Sequence, residues 1–151
     1  MGAGKSTLAH RLAAEQRAVL WSEDVCLATL YPGEIRGVPD YQNRSQRVHQ
    51  LLAQNVVAVL RAGVNVVMDF PGNTPSQRQW LLSLAESASA SHVCHWLDAK
   101  DEVCLQRVMG RRHQEPERQA TDTPEMFALM LRHFVPPADA EGLHVVRHRL
   151  A

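Results

Sequence analysis

The sequence predicts an α/β fold in which helices cover both faces of a parallel sheet. Helix and strand patterns alternate through almost the whole chain, and the strand patterns are short apolar runs. Strands that are buried on both faces have this apolar character, and parallel strands need long crossover connections, which are usually helices. With 151 residues, of which 45% are apolar and 21% are charged, the chain is expected to form a single domain over residues 1–151.

Each element is predicted from the spacing of its apolar residues and from the residues at its ends. Helices are predicted where apolar residues recur every three or four positions, and strands where a short apolar run lies between turn residues. Thr-Pro pairs at 74–75 and 123–124 are typical helix starts, and Gly63 suits the C-terminal cap of the long helix before it. In chain order we predict a helix at 5–16, a strand at 18–21, helices at 23–30 and 40–62, a strand at 64–70, a helix from 75, a strand at 92–97, helices at 101–112 and from 124, and a strand at 144–148.

The composition argues against several classes of protein. Sixteen Lys and Arg balance sixteen Asp and Glu, whereas proteins that bind nucleic acid by bulk attraction are usually basic. The three cysteines lack C-x-x-C spacing and are predicted to be reduced thiols, mostly buried. The HVCHW run at 92–96 is predicted to be structural because side chains alternate between the two faces of a strand. No membrane-spanning run or signal-peptide pattern is present, so we expect a cytoplasmic protein with no membrane partner.

The chain begins with MGAGKST, which matches the second half of a phosphate-binding loop. The full motif is G-x-x-x-x-G-K-[ST] between a strand and a helix, and Gly4, Lys5 and Ser6 fill its last three places. Backbone N–H groups of such a loop converge on phosphate oxygens, and the following helix directs its positive end toward them. Lys5 is predicted to reach the β- and γ-phosphates of ATP, and the Ser6 hydroxyl to bind Mg²⁺. The predicted nucleotide-binding residues of the loop are Gly2, Ala3, Gly4, Lys5, Ser6 and Thr7.

The first glycine of the motif and the strand that leads into it are missing from the chain. That glycine would fall two residues before Met1. In folds with this loop the strand lies at the centre of the sheet, so its loss removes hydrogen-bond partners on both sides. We therefore expect the protein to begin upstream, or its start to be trimmed or misassigned.

Over nearly its whole length the chain resembles the AAA-type small P-loop kinases, which are related to zeta toxins, polynucleotide kinase and chloramphenicol phosphotransferase. The segments that carry the resemblance are GAGKSTLA, SEDVCLATLYP, VVMDFPGNT with QRQWL, EVCLQRVMGRR and HFVPPADAEGLHVVRH. The resemblance implies a P-loop three-layer sandwich with a parallel sheet in the order 2-3-1-4-5, with strand 1 missing. It also implies ATP- and Mg²⁺-dependent phosphoryl transfer to a hydroxyl of a small-molecule or nucleotide-like acceptor.

Two carboxylates follow predicted strands at the sheet edge where ligands bind in open α/β folds. The resemblance implies that Asp24 accepts the proton of the attacking hydroxyl; the alternative is a cap for the helix at 23–30, with Ser22 or Glu23 as rival caps. Asp69 ends the strand VNVVMDF and is predicted to hold Mg²⁺ directly or through water, the alternative being turn chemistry. Asn73 either contacts substrate or shapes the turn, and Arg78 either faces the acceptor or is solvated.

Arginines in and after the helix at 101–112 are candidates for a lid over the nucleotide. Arg107 and Arg111 are four apart and therefore share a helix face, and Arg112 adjoins them. The resemblance implies that Arg107 and Arg111 are catalytic, that Arg112 binds nucleotide, and that a mobile lid spans about 111–122, with Arg118 as a weaker candidate. Guanidinium groups suit this role because they stay charged and grip phosphate with two bonds. The alternative is a solvated helix end.

The acceptor-recognition residues are less defined by the sequence. Candidates between the second and third strands of the family order are Arg36, Tyr41, Arg44 and Arg47, with a solvated face as the alternative. The tryptophans at 21, 80 and 96 are predicted to lie in the core. Two other functions stay open: a nucleotide-binding regulatory protein without catalytic activity, for which the incomplete loop argues, and a toxin-like kinase. The acceptor, the preferred nucleotide and the oligomeric state are not predicted.

Overall fold

The structure of the protein is a computed structural model that describes residues 2–114 and 123–150, with side chains described at 2–110 and 123–149. Helices and strands alternate as the sequence predicts. In chain order the elements are α1 (Lys5–Gln16), β1 (Val19–Ser22), α2 (Glu23–Leu30), α3 (Val38–Arg61), β2 (Val66–Asp69), α4 (Pro75–Ser87), β3 (Cys94–Ala99), α5 (Asp101–Gln114), α6 (Pro124–His133), a short 3₁₀ helix (Asp139–Glu141) and β4 (Val145–Leu150).

Local sequence signals explain most of the observed boundaries. The Thr123 hydroxyl accepts the N–H of Met126 at 3.1 Å, so it caps α6 as predicted. Helix α3 ends at Arg61, and Gly63, two residues later, has φ +78°, a conformation that favours glycine and ends the helix. The strand predicted from His92 begins two residues later instead, because the ladder with β4 starts at Cys94. His92 lies outside β3, and its Nε2 accepts the N–H of His144 at 3.1 Å.

The chain divides into two compact units. The β1–β2 unit comprises Ser6–Pro71 and Gln79–Ser91, and the β3–β4 unit comprises Met1–Lys5, Gly72–Arg78 and His92–Ala151. Each unit contains one pair of parallel strands: β1 pairs with β2 from Val19↔Val66 to Ser22↔Asp69, and β3 pairs with β4 from Cys94↔Val145 to Ala99↔Leu150. The α/β fold with parallel strands is confirmed. A single sheet in the order 2-3-1-4-5 and a single domain over the whole chain stay predictions.

The core of the β1–β2 unit lies between α2, α3, α4 and the end of β2. On α3, Val48, Leu52 and Val56 recur every four residues, so one face of this helix is buried against its neighbours. Removing each such side chain from water stabilises the fold by roughly 1.5–3 kcal/mol. The buried members of the cluster are Leu27, Val48, Leu52, Val56, Phe70 and Leu84, and Trp21 and Trp80 pack against them as predicted.

The β3–β4 unit has a smaller buried cluster of Cys104, Val108 and Phe127, which joins α5 to α6. Trp96 is not part of this cluster. The guanidinium of Arg147 lies over its ring, with Cζ 4.5 Å from the ring centroid, so the prediction of a core position for Trp96 is wrong. All three cysteines are free, and burial raises the pKa of each thiol. Among the residues that the structure describes, none of the helices is long and apolar enough to span a membrane.

Candidate functional site

The predicted phosphate loop contains two glycines with positive φ directly before a helix. Gly2 and Gly4 have φ of +72° and +90°, values at which side chains are strained, and α1 begins directly afterwards at Lys5. A Cβ atom at Gly2 would overlap the carbonyl oxygen of Cys104 on α5, so only glycine fits there. The Nη1 atom of Arg107 lies 3.5 Å from the Gly2 carbonyl oxygen and donates to it. The loop is therefore supported from α5.

The side chains at the start of α1 are open to solvent. Lys5, Ser6 and Thr7 are exposed, whereas Ala3 packs against the cluster that contains Cys104 and Val108. The loop thus combines an anchored backbone with accessible lysine and hydroxyl side chains, as a phosphate site needs. Arg107 is also exposed, and it lies beside the loop rather than away from it.

Ser22 and Asp69 face each other at the carboxyl ends of β1 and β2. They are register partners, and the Ser22 hydroxyl donates to Asp69 Oδ2 at 3.5 Å. The same hydroxyl accepts the N–H of Val25 and caps α2, so the alternative role of Asp24 as the helix cap is wrong. Asp69 is only 2% exposed, whereas Asp24, the second residue of α2, is exposed. The edge therefore offers one buried and one accessible carboxylate.

Glu23 is a buried carboxylate that sequence reasoning missed. It is 1% exposed, and three side chains of α3 donate to it: the Tyr41 hydroxyl at 2.7 Å, the Ser45 hydroxyl at 2.5 Å and His49 Nε2 at 2.8 Å. Burial on its own raises the pKa of Glu23, but the hydrogen bonds from His49, Ser45 and Tyr41 outweigh it and hold the pKa below 4.5. The His49 ring also stacks on Trp80, with 4.0 Å between centroids. The four-residue spacing of Tyr41, Ser45 and His49 was the available sequence signal.

The candidate acceptor-recognition residues are mostly engaged in other contacts. The Tyr41 hydroxyl is bound to Glu23, and burial followed by the charge of Glu23 raises its pKa, so this side chain serves the interior of the unit. Arg44 donates to Glu34 at 2.8 Å on the surface. Arg36 and Arg47 are exposed, which agrees with the solvated alternative for these two.

Arg78 is buried, so both of its predicted environments are wrong. It is 2% exposed and makes two bonds of 2.7 Å to the Glu141 carboxylate, one from Nε and one from Nη2. Its Nη1 donates to the carbonyl oxygens of Gly72 and Val135, each at 2.8 Å, and its Nη2 to that of Pro136 at 3.5 Å. Arg78 therefore joins the loop before α4 to the segment after α6, all within the β3–β4 unit.

The predicted lid lies largely outside the described part of the chain. The backbone of Arg111 and Arg112 continues α5, but their side chains are not described. Residues 115–122, which include Arg118, are also outside it. The roles assigned to Arg111, Arg112 and a lid at 111–122 therefore stay predictions.

The residues predicted to serve Mg²⁺ offer the right type of ligand. The ion prefers hard oxygen donors, keeps several waters and usually takes only one or two protein carboxylates together with substrate phosphates. Asp69 and the Ser6 hydroxyl fit this donor set. Within residues 2–114 and 123–150, no three His, Cys, Asp or Glu side chains group as a metal site of their own.

The comparisons with known proteins agree with the class that the loop and the strand edge define. The chain belongs to a family of AAA domains, AAA_33, whose model matches residues 1–137. Its fold is similar to that of a solved structure of a candidate kinase from Chloroflexus aurantiacus J-10-fl, with a TM-score of 0.74 and 20% sequence identity over 97% of this chain and 79% of that one. No match was found among curated proteins. The predicted membership of the AAA-type P-loop group is thereby confirmed at the level of family and fold.

Proposed function

We propose that the protein is an ATP- and Mg²⁺-dependent kinase that transfers a phosphoryl group to a hydroxyl of a small-molecule or nucleotide-like acceptor. The observation that carries this proposal is the phosphate loop, in which Gly2 and Gly4 adopt positive φ and α1 begins at Lys5. The match to the AAA domain family over residues 1–137 supports it independently.

Each predicted group has a distinct role in this reaction. The N–H groups of the loop and the positive end of α1 bind the phosphates, and the Lys5 ammonium neutralises charge on the transferred group. Ser6 and Asp69 hold Mg²⁺, which when bound supplies positive charge to the phosphate oxygens. Arg107 stabilises the charge of the transferred phosphoryl group, a role that its hydrogen bond to the Gly2 carbonyl oxygen supports.

The proton of the attacking hydroxyl goes to Asp24. This carboxylate is exposed in the first turn of α2, directly after the carboxyl end of β1. Glu23 is less suited because its oxygens already accept three hydrogen bonds and its pKa is lowered. Removal of a positioned general base lowers the rate by about 10²- to 10⁴-fold.

The first experiment is calorimetric titration of ATP and a non-hydrolysable ATP analogue in the presence of Mg²⁺. We expect saturable binding by the wild-type protein and by Lys100→Ala, which changes an exposed lysine outside the loop motif. Lys5→Ala should lose most of the affinity while it keeps the wild-type circular dichroism spectrum. A folded wild-type protein that binds neither nucleotide would refute the proposal.

Catalysis is tested separately from binding. Transfer of radiolabelled phosphate from ATP to an acceptor should fall by about 10²- to 10⁴-fold in Asp24→Asn and stay unchanged in Glu86→Gln, which alters an exposed carboxylate on α4. ATP binding without transfer to any acceptor would instead indicate a nucleotide-binding regulatory protein.

A further inference from the structure

His95 and His148 contact each other across the β3–β4 strand pair. Their register partners are Val146 and Leu97, so the two imidazoles are diagonal neighbours on one face of the strands. His95 Nδ1 lies 2.9 Å from His148 Nε2, and the ring centroids are 5.2 Å apart with 33° between the ring planes. One nitrogen therefore donates a hydrogen bond and the other accepts it, and both side chains are half-buried.

This hydrogen bond survives the first added proton but not the second. With one extra proton on the pair, a charged ring donates to a neutral ring, and hydrogen bonds from charged donors are stronger than neutral ones. With two extra protons, both nitrogens at the contact carry hydrogen, so neither can accept and two positive charges face each other. Because an unperturbed histidine takes up its proton near pH 6.5, this second step falls in mild acid.

The surroundings of His95 disfavour a positive charge on its ring. Burial, followed by the charge of His148, lowers the pKa of His95 below its ordinary value of 6.5. A lowered histidine pKa leaves the stability of the fold intact above pH 6.5. That stability is lost as the pH falls from 6.5 through the lowered value, because the unfolded chain then binds more protons than the folded chain. The histidine pair therefore makes the folded β3–β4 unit less stable in mild acid.

The other charged groups near these strands lie on their opposite face or on the surface. By alternation along each strand, the charged residues of β3 and β4 on the opposite face are Asp98, Arg147 and Arg149. Cys94 shares that face, and the charges of Arg78 and Glu141 act on its thiol. On α5 and α6 the Cys104 thiol is buried, and the described charged or titratable side chains that are exposed to solvent are Asp101, Glu102, Arg107, Glu125, Arg132 and His133.

We propose that the His95–His148 contact is a pH-sensitive device in the fold, which stabilises the β3–β4 strand pair near neutral pH and loosens it in mild acid. The strands that it joins, Cys94–Ala99 and Val145–Leu150, are the parallel pair of their unit. The proposal does not depend on the kinase function, because its tests need no nucleotide.

Thermal unfolding at about pH 7.5 and about pH 5 tests the device with three variants. In His148→Gln a carboxamide takes the place of Nε2, and in His95→Asn a carboxamide takes the place of Nδ1, so a hydrogen bond can persist while one titrating ring is removed. Between the two pH values the wild-type melting temperature should fall by about 2–4 °C more than that of either variant, which corresponds to roughly one pKa unit. His144→Gln, which changes an exposed imidazole just before β4, should lose as much as the wild type. Equal losses in all four proteins would overturn the proposal.

An NMR titration of the imidazole nitrogens measures the contact directly. The His95 ring of the wild-type protein should take up its proton below pH 6.5, and in His148→Gln the midpoint should rise toward 6.5, because the charge of His148 has been removed. If a variant does not fold, the wild-type titration still decides, since a His95 midpoint at or above 6.5 contradicts the proposal. A His95 midpoint that does not move in His148→Gln contradicts it as well.

Discussion

Arg78→Met gives the sharpest test of the structure, because it removes the guanidinium while keeping most of the apolar side chain. The substitution leaves the Glu141 carboxylate and the carbonyl oxygens of Gly72 and Val135 without their donor. Loss of one partner from a buried ion pair costs about 3–5 kcal/mol. For a protein of this size, with about 2–4 °C per kcal/mol, the melting temperature should fall by about 6–20 °C.

The assay is thermal unfolding followed by calorimetry, with two comparison variants. Arg78→Lys keeps the charge but lacks the planar fork that reaches both Glu141 oxygens and the carbonyl groups, so we expect an intermediate loss. Arg11→Met breaks a surface ion pair in which Arg11 Nε lies 3.8 Å from Glu15 Oε1 and the two side chains are 63% and 59% exposed. It should lower the free energy of unfolding by less than about 1 kcal/mol. If Arg78→Met is no more destabilising than Arg11→Met, the buried hydrogen bonds of Arg78 do not form in solution.

The pH dependence of the same variant gives a second check. The hydrogen bonds from Arg78 are the main cause that holds the pKa of Glu141 below its ordinary value of 4.5. A lowered carboxyl pKa contributes stability that is present above pH 4.5 and is lost as the pH falls through the lowered value. The difference in unfolding free energy between wild type and Arg78→Met should therefore shrink below pH 4.5. A difference that is constant down to acid pH would show that Glu141 is not the partner that matters.

Three further substitutions test other parts of the structure. Gly2→Ala should weaken ATP binding, measured by calorimetry, more than Gly4→Ala does. Both substitutions incur about 1–2 kcal/mol of backbone strain, but only the new Cβ atom at position 2 overlaps the carbonyl oxygen of Cys104. Equal losses of affinity would contradict the loop geometry. Glu23→Gln should cost about 1–3 kcal/mol in urea unfolding at pH 7, and because the pKa of Glu23 is lowered that cost should diminish below pH 4.5; a cost that persists in acid would argue against an ionised Glu23. Trp21→Phe should change the free energy of unfolding by no more than about 1 kcal/mol, since the buried Trp21 Nε1 has no hydrogen-bond partner among the described residues, and a larger loss would reveal a partner.

The fold was largely predictable because its signals are local. Apolar spacing and end signals predicted each described α-helix and strand with its start within two residues, although the short 3₁₀ helix was not predicted. The caps at Thr74 and Thr123 are set by residues within three positions of them. The start of β3 was predicted two residues early, at His92, because the strand begins where pairing with β4 begins. Pairing of that kind depends on a partner about fifty residues away, which a window of sequence does not contain.

The candidate site was predictable only in part, for the same physical reason. The loop at 2–7 and the positions of Asp24 and Asp69 follow from motif and strand ends, which are contiguous in sequence. Glu23 and Arg78 were missed or misassigned because their partners are distant: His49 is 26 residues from Glu23, and Glu141 is 63 residues from Arg78. Periodicity predicts that a charged residue lies on a helix, but not whether the fold brings it an opposite charge.

The two adjacent carboxylates of α2 show how one helix start can serve both stability and chemistry. Glu23 turns inward, accepts hydrogen bonds from three α3 side chains and has a lowered pKa, so it is fixed, ionised and shielded from a substrate. Asp24, the next residue, is exposed at the same strand edge. Because Glu23 ties the first turn of α2 to α3, its hydrogen bonds also hold the backbone of the neighbouring Asp24. A general base needs both an accessible position and a fixed backbone; in the proposed reaction Asp24 meets the first requirement through its exposure, and Glu23 meets the second through its contacts with α3.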